Sequence, residues 1–516
     1  MSKTAIKQVT TKQNNIKIVL VSTMIGLSAG IVSVLYRLAI SSAESISLTM
    51  YSYIEAHLQF VPILFIGLAI AGYLMGCVIT KYPLTSGSGI PQVKGQILGY
   101  IKSNWFTTLI VKFFAGMTAI IAGLSLGREG PSIQLGASVA QGVSEKIGAS
   151  NTEKRIFITS GASAGLAAAF NAPLAGVMFA LEEIFRYFSP VVLLSTLVAA
   201  IVADFVSKVY FGISPVFDFE VTASLPISYY WLFILLGIFL GFSGVFYNLC
   251  IVKSQKLYKY ISAINPKYKP ILPFMIAGIL GITLPIVLGG GHSIIHELSI
   301  ENSMMYLLMI LVIKFIFSMI SFGSGTPGGI FFPLLVLGAT LGAIFAKIAI
   351  PGLGLDAVLF YNFVIIAMAG YFAAIVRAPL TGIILLVEMT GSFSQLLPLI
   401  ITSTVAYLVA EELNNKPIYD SLLENLLENH HIHQEPANRS KIVIERVVHI
   451  GANVENKYLR EIQLPARCLI VAISRGENDI TPNGDTFIKS GDILTFLVDT
   501  SNEIVVRQAI EQLLGD

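Results

Sequence analysis

The sequence predicts an all-α polytopic membrane protein built from two repeated halves with broken and re-entrant helices, followed by a small α+β domain. Three observations carry this. Charged residues are 12% of the 516 and apolar residues 54%, with a mean hydropathy of +0.76, whereas a soluble chain carries about 25% charge. The apolar residues fall in charge-free blocks close to or above the roughly 20 residues a helix needs to cross hydrocarbon. One sequence pattern also occurs twice, about 200 residues apart.

From the N-terminus, Met1 to Lys17 carries Lys3, Lys7, Lys12 and Lys17 and no acid. It leads into a full-length apolar run without resembling a cleaved signal, which predicts a cytoplasmic start. Ile18–Tyr36, Tyr229–Val252, Pro270–Gly291, Phe315–Ala346 and Met389–Ala410 carry no charge and read as spans. They do not alternate as barrel strands do, and helix alone pairs the backbone of such a run within itself. Cys77, Cys250 and Cys468 are scattered and imply no disulfide framework. A net charge of +2 gives no reason to invoke nucleic acid.

The repeat sets the halves at about 18–212 and 229–411. Ala172-Pro173-Leu174-Ala175-Gly176 leads to Glu182, and Ala378-Pro379-Leu380-Thr381-Gly382 leads to Glu388, an offset of 206. Pro131 with Leu135-Gly136-Ala137 matches Pro333 with Leu337-Gly338-Ala339 at an offset of 202. Asp218 and Glu220 precede the second half, and five lysines follow its first span. Lysine-rich loops stay inside, so the halves are expected to be inverted, with a substrate site between them near the midplane.

Residues 1–428 are expected to form the membrane domain and 429–440 a linker. His430, His431, His433 and Glu435 read as solvated linker rather than a closed metal site. From 441 to 516 the pattern is soluble, with strands at Ile442–Ile444, Leu469–Val471 and Ile493–Val498 and an amphipathic helix at Glu503–Leu514. Eight Lys/Arg against eleven Asp/Glu argue against a nucleic-acid surface there.

Three glycine-rich breaks interrupt the apolar blocks: Ser86–Pro91, Gly127–Pro131 and Gly325–Pro333. Each can restart as helix, with proline suited to the first turn. Free amides and the partial positive charge at several such helix starts would hold an anion without a lysine or arginine, and release it more readily than a full charge would. Glycines that merely allow close packing are the alternative for any one break. Glu129 sits at the second break. Ionised, it mimics the anion and can fill its site; protonated, it leaves, so it is a natural gate and proton carrier. Its structural alternative is a helix-start carboxylate paired with Arg128. Glu182 and Glu183 close another apolar helix, as an interfacial pair beside Arg186 or as a second proton station; spacing does not separate the two.

The segments GSGIP (87–91), GREGP (127–131), AAAFNAPLAG (167–176), GGIFFP (328–333) and KPIY (416–419) resemble the CLC chloride channel and transporter family, in the family's order. The resemblance implies a homodimer with one anion pathway per subunit. It implies that Ser88 and Tyr419, with amides around Gly130, Ile330 and Phe331, bind chloride. It implies Glu129 as gate and Glu183 as internal proton glutamate, and no cofactor beyond the transported ions, chloride and protons. Both glutamates are present, which favours a proton-coupled antiporter over a passive channel; Ser88, rather than proline, goes with chloride over nitrate. Residues 441–516 resemble an RCK C-terminal domain, on the strand pattern and the Lys489–Asp492 turn, which hints at a small regulatory ligand such as a cyclic dinucleotide.

Two other classes compete. Gly161-Ala162-Ser163-Ala164-Gly165 fits the nucleophile-elbow pattern of a serine hydrolase, but none of the seven histidines lies within a long apolar span to serve as base. Potassium transport, suggested by the tail, would want carbonyl or carboxylate rings rather than helix starts.

Overall fold

The computed structural model describes residues 3–217, 219, 225–260, 265–429, 441–465, 468–476, 478–499 and 503–514. The histidine-rich linker and the acids Asp218 and Glu220 lie outside them. Contacts divide the chain into one unit of Met1–Ile97 and Ser103–Asn429 and a second of Leu98–Lys102 and His430–Asp516.

The membrane unit is two sets of eight helices. The first comprises α1 Lys3–Ala56, α2 Val61–Lys81, α3 Ile90–Ile97, α4 Trp105–Ile121, α5 Glu129–Lys146, α6 Asn151–Phe170, α7 Pro173–Phe179 and α8 Pro190–Phe211. The second comprises α9 Trp231–Tyr260, α10 Ile271–Thr283, α11 His292–Glu297, α12 Met304–Gly323, α13 Phe331–Leu353, α14 Phe360–Val376, α15 Pro379–Thr390 and α16 Leu396–Glu412. Taken in order, the sets match in their breaks as well as their helices. The 3₁₀ turn Pro83–Thr85 between α2 and α3 has its counterpart in Pro285–Val287 between α10 and α11. Asn171 and Arg377 both end their helices in the left-handed conformation just before the Ala-Pro-Leu segments. Helix α17 (Ile418–Asn429) follows the second set.

Among the described residues, seven helices are long and apolar enough to cross a membrane. Large apolar side chains are exposed along several of them, including Leu20, Leu27 and Leu35 on α1, Ile63 and Ile66 on α2, and Val312 and Ile316 on α12. These faces suit hydrocarbon rather than water. The matching α13 and α14 are largely buried within the protein itself.

Three expected spans are not continuous. Pro270–Gly291 is helical only over α10, because Pro285 and Gly289–Gly291, two of these glycines at positive φ, turn the chain. Phe315–Ala346 is cut between α12 and α13 by the third glycine-rich break. Met389–Ala410 is cut at Gly391, in the left-handed conformation that ends α15. A charge-free run records transfer free energy and not where the backbone bends.

Gly161 and Gly165 pack α6 against α5. A Cβ on Gly161 would fall 2.3 Å from the Gly136 carbonyl oxygen, and one on Gly165 would fall 2.2 Å from that of Ser132. Ser163 lies mid-helix between them, without the strand-to-helix turn of a nucleophile elbow, so the hydrolase reading is set aside.

The second unit is a four-stranded antiparallel sheet of order β1-β4-β2-β3, with β1 Lys441–Val447, β2 Cys468–Arg475, β3 Asn478–Ile480 and β4 Ile493–Asp499. Helix α18 (Glu503–Leu514) contributes Val506, Ile510 and Leu514 to its core. The turn before β4 is held by Asp492, which accepts from the Lys489 amide at 2.8 Å and from Arg475 through both carboxylate oxygens at 2.7 Å. Burial works to raise this carboxyl, but the guanidinium and the amide outweigh it and hold it below its ordinary range.

The α5–α6 contact yields a test. Gly161→Val should separate the two helices and lower the melting temperature of detergent-solubilised protein, overpacking of this kind costing about 1–3 kcal/mol or more. Gly67→Ala, where an added Cβ meets nothing within 4 Å, should leave it unchanged. Equal melting temperatures for the two variants would contradict the packing.

Candidate functional site: an ion site between three broken helices

The three breaks meet. Gly87 N–H donates to Gly325 O at 3.0 Å, and Gly328 N–H to Gly87 O at 3.0 Å. Gly127 and Gly329 exchange both main-chain bonds at 2.7 Å, an isolated antiparallel bridge. Main chain thus satisfies main chain where no water or regular helix does so. From this knot α3, α5 and α13 start, at Ile90, Glu129 and Phe331, each presenting a helix N-terminus with its open amides.

Glycine is required here by contact. A Cβ on Gly130 would lie 2.5 Å from Ser88 Oγ, and one on Gly329 would lie 3.0 Å from the Gly130 amide nitrogen. Gly87 and Gly89, on either side of Ser88, have φ of +60° and +95°, values that side-chain-bearing residues rarely adopt. Ser88, Gly130 and the segment before Ile330 are therefore neighbours, as expected. Ile330 is the N-cap of α13 and Phe331 its first residue.

Tyr419 reaches the same region through an aromatic chain. Its ring meets Phe179 edge-on at 6.2 Å, and Phe179 meets Phe331 at 5.9 Å. Phe331 also touches Phe170 at 5.3 Å and Phe372 at 4.8 Å. The backbone before Tyr419 is held by Arg377, which donates to Asn415 O at 2.9 Å, and by Asn248, which donates to Lys416 O at 3.4 Å.

Several polar atoms of this region are buried without a well-formed hydrogen bond, although the amides of Glu129 itself and of Phe332 stand near the Glu129 carboxylate. Ser88 Oγ, Tyr419 OH and both carboxylate oxygens of Glu129 lack a well-formed partner among the described residues. Buried polar groups are ordinarily paired, so such a concentration marks a place built for something else to bind. Arg128 does not satisfy Glu129: its Nε stands 3.7 Å from Oε1, beyond hydrogen-bond range. At that distance the two charges still form an ion pair, so this alternative for Glu129 stands beside the gate reading.

Glu182 and Glu183 do not form an interfacial pair. They lie on a π-helical turn, Ala180–Phe185, and face different partners. Glu182 accepts from the amides of Leu380 at 3.1 Å and Thr381 at 2.8 Å, and from the Thr381 hydroxyl at 2.8 Å, so it caps α15. Its repeat partner Glu388 accepts from the amides of Leu174 at 3.0 Å and Ala175 at 2.8 Å and caps α7. Each half thus closes a helix start in the other. Glu183 is buried and paired with Lys94 at 2.8 Å and Arg186 at 3.2 Å.

Sequence reasoning passed over two buried lysines. Lys112 on α4 donates to Thr85 O at 3.0 Å and Gly87 O at 2.6 Å; Lys314 on α12 donates to Val287 O at 2.9 Å and Gly289 O at 2.8 Å. The offset of 202 already relates them in sequence, and that was the available signal. A lysine thus lies behind the first break, occupied with carbonyls.

The comparisons agree with this geometry. The family model described as voltage gated chloride channel matches residues 67–411, and that of the TrkA-C domain matches 443–510. The H(+)/Cl(−) exchange transporter ClcA of Vibrio parahaemolyticus is 35% identical over 443 residues, covering 82% of this chain and 93% of its own. The protein of the same name from Klebsiella pneumoniae is 34% identical over 426 residues, covering 80% and 89%. The crystal structure of a slow cyanobacterial Cl−/H+ antiporter aligns with a TM-score of 0.73 at 30% identity, over 80% of this chain and 99% of that one. That of a CLC-type fluoride/proton antiporter shares the fold, with a TM-score of 0.66 at 24% identity, over 78% and 97%. The chain is a multi-span membrane protein that belongs to the voltage-gated chloride channel family, with the CLC fold in its membrane unit and a TrkA-C domain behind it.

Proposed function

We propose that this protein exchanges chloride for protons across the membrane, with the anion held at the starts of α3, α5 and α13 by Ser88, Tyr419 and the amides of Gly130, Ile330 and Phe331. The observation that carries this is the group of buried, unpaired oxygens at Ser88, Tyr419 and Glu129, set where three helix starts converge. Hydroxyls and amides donate to an anion; a carboxylate in the same place competes with it. Glu129 is therefore the gate: ionised it takes the anion's place, protonated it yields it and carries the proton. Glu183, with its side chain only 1% exposed, is the internal proton station. The similar proteins are named as exchangers, and both acids are in place, which favours exchange over a passive channel.

The protein works as a homodimer with one pathway per subunit and with both termini cytoplasmic, the latter supported by the lysines of the first 17 residues. The TrkA-C domain takes a small regulatory ligand, such as a cyclic dinucleotide.

In liposomes holding the purified protein, a chloride gradient should drive protons against their own gradient; chloride flux with no proton movement would leave a channel. Flux should quicken as external pH falls, because protonation frees the site from the carboxylate. Glu129→Gln, which imitates the protonated gate, should give chloride flux uncoupled from protons and nearly independent of pH. Persistent uphill pumping by that variant would end the gating assignment. Glu183→Gln should stop proton movement and leave chloride flux; loss of both would make the residue structural. Ser88→Pro removes a donor that favours a compact, strongly hydrated anion, so nitrate should gain on chloride. An unchanged ratio would count against Ser88 as a ligand.

A further inference from the structure

Glu183 is one corner of a four-charge cluster. Lys94 donates to Glu183 at 2.8 Å and also to Asp420. Arg186 donates to Glu183 at 3.2 Å and pairs with Asp420 at 2.8 Å. The ring closes with two cations and two anions. Exposure rises across it, from side chains 1% exposed at Glu183 and 4% at Lys94 to 24% at Asp420 and 39% at Arg186. One edge is dry and the other reaches the surface of the described residues.

Each corner stands on an element with a second task. Lys94 is in the middle of α3, the eight-residue helix that starts two residues after Ser88. Asp420 follows Tyr419 directly on α17. Glu183 lies within the π-helical turn that follows α7 and Arg186 ends it; Phe179 of α7 touches both Tyr419 and Phe331. The ring therefore joins the backbone segments of two anion ligands to the internal carboxylate.

We propose that Lys94 is a positioning residue that couples the proton load of Glu183 to α3, which follows Ser88, and to α17, which bears Tyr419. This rests on the exchange reading above. With Glu183 ionised the ring is neutral and all three segments are tied together. When Glu183 takes a proton, the attraction that holds Lys94 to it is lost, and the ammonium keeps only Asp420. Helix α3 is then released from the π-helical turn while it stays tied to α17. The anion ligands thereby sense the proton load without touching the proton.

The test measures the proton-to-chloride ratio and the chloride flux in liposomes. In Lys94→Met, Glu183 and Asp420 are left to share Arg186, and the excess negative charge favours a permanently protonated acid. The ratio should fall roughly tenfold while chloride flux persists, since removing one partner leaves a buried charge uncompensated. Lys94→Arg keeps the charge and should keep coupling. Lys94→Met combined with Asp420→Asn restores neutrality and should recover much of the ratio, which a loss of packing would not do. Wild-type coupling in Lys94→Met, or a double variant no better than the single, would overturn the proposal and leave the exchange reading intact. A wild-type protein that moves no protons would overturn both. Should Lys94→Met not fold, Asp420→Asn alone decides: it leaves an unbalanced cation beside Glu183 and should lower the ratio with chloride flux retained, and an unchanged ratio would overturn the proposal.

Discussion

Backbone that is not helical at membrane depth must find its hydrogen bonds elsewhere, and the rest of this structure follows from how that demand is met. Gly87, Gly127, Gly325, Gly328 and Gly329 satisfy one another across three breaks. Lys112 takes up the carbonyl of Thr85 and adds a second bond to that of Gly87. Once the breaks are locked together, the helices that leave them have no freedom to point their N-termini apart. The open amides and the unpaired oxygens of Ser88, Tyr419 and Glu129 are a by-product of that locking, and they are what an anion would recognise.

The repeat supplies the scaffold and then departs from symmetry where chemistry begins. Lys112 and Lys314 do the same task in the two halves, and Glu182 and Glu388 cap each other's helix starts. At the offset of 202, however, Glu129 corresponds to Phe331 and Ser88 to Gly290. One half brings the carboxylate and the hydroxyl; the other brings a phenylalanine packed among Phe170, Phe179 and Phe372. A shared architecture thus carries an asymmetric candidate site.

Much of this was legible in the chain, for reasons of range. Glycine and proline act on their own backbone, so all three breaks and their helix restarts could be read directly. The tail's longer strands were equally plain, while β3, only three residues long with a single apolar one, left no alternating signal. Glu182 could not be assigned because its partner Thr381 is 199 residues away. Nothing local marks Lys94, because its partners lie 89 and 326 residues along the chain. Spans were overread where hydropathy continued through a bend, as at Gly391. Local chemistry survives in sequence; pairings made only by folding do not.

The central claim is that a halide sits where the three breaks converge. Crystals of the Glu129→Gln protein grown in bromide would test it through anomalous diffraction. An anomalous peak within hydrogen-bond reach of Ser88 Oγ, Tyr419 OH and the amides of Ile330 and Phe331 is the expected result. Bromide bound elsewhere in the membrane unit, with no peak among those four groups, would contradict it.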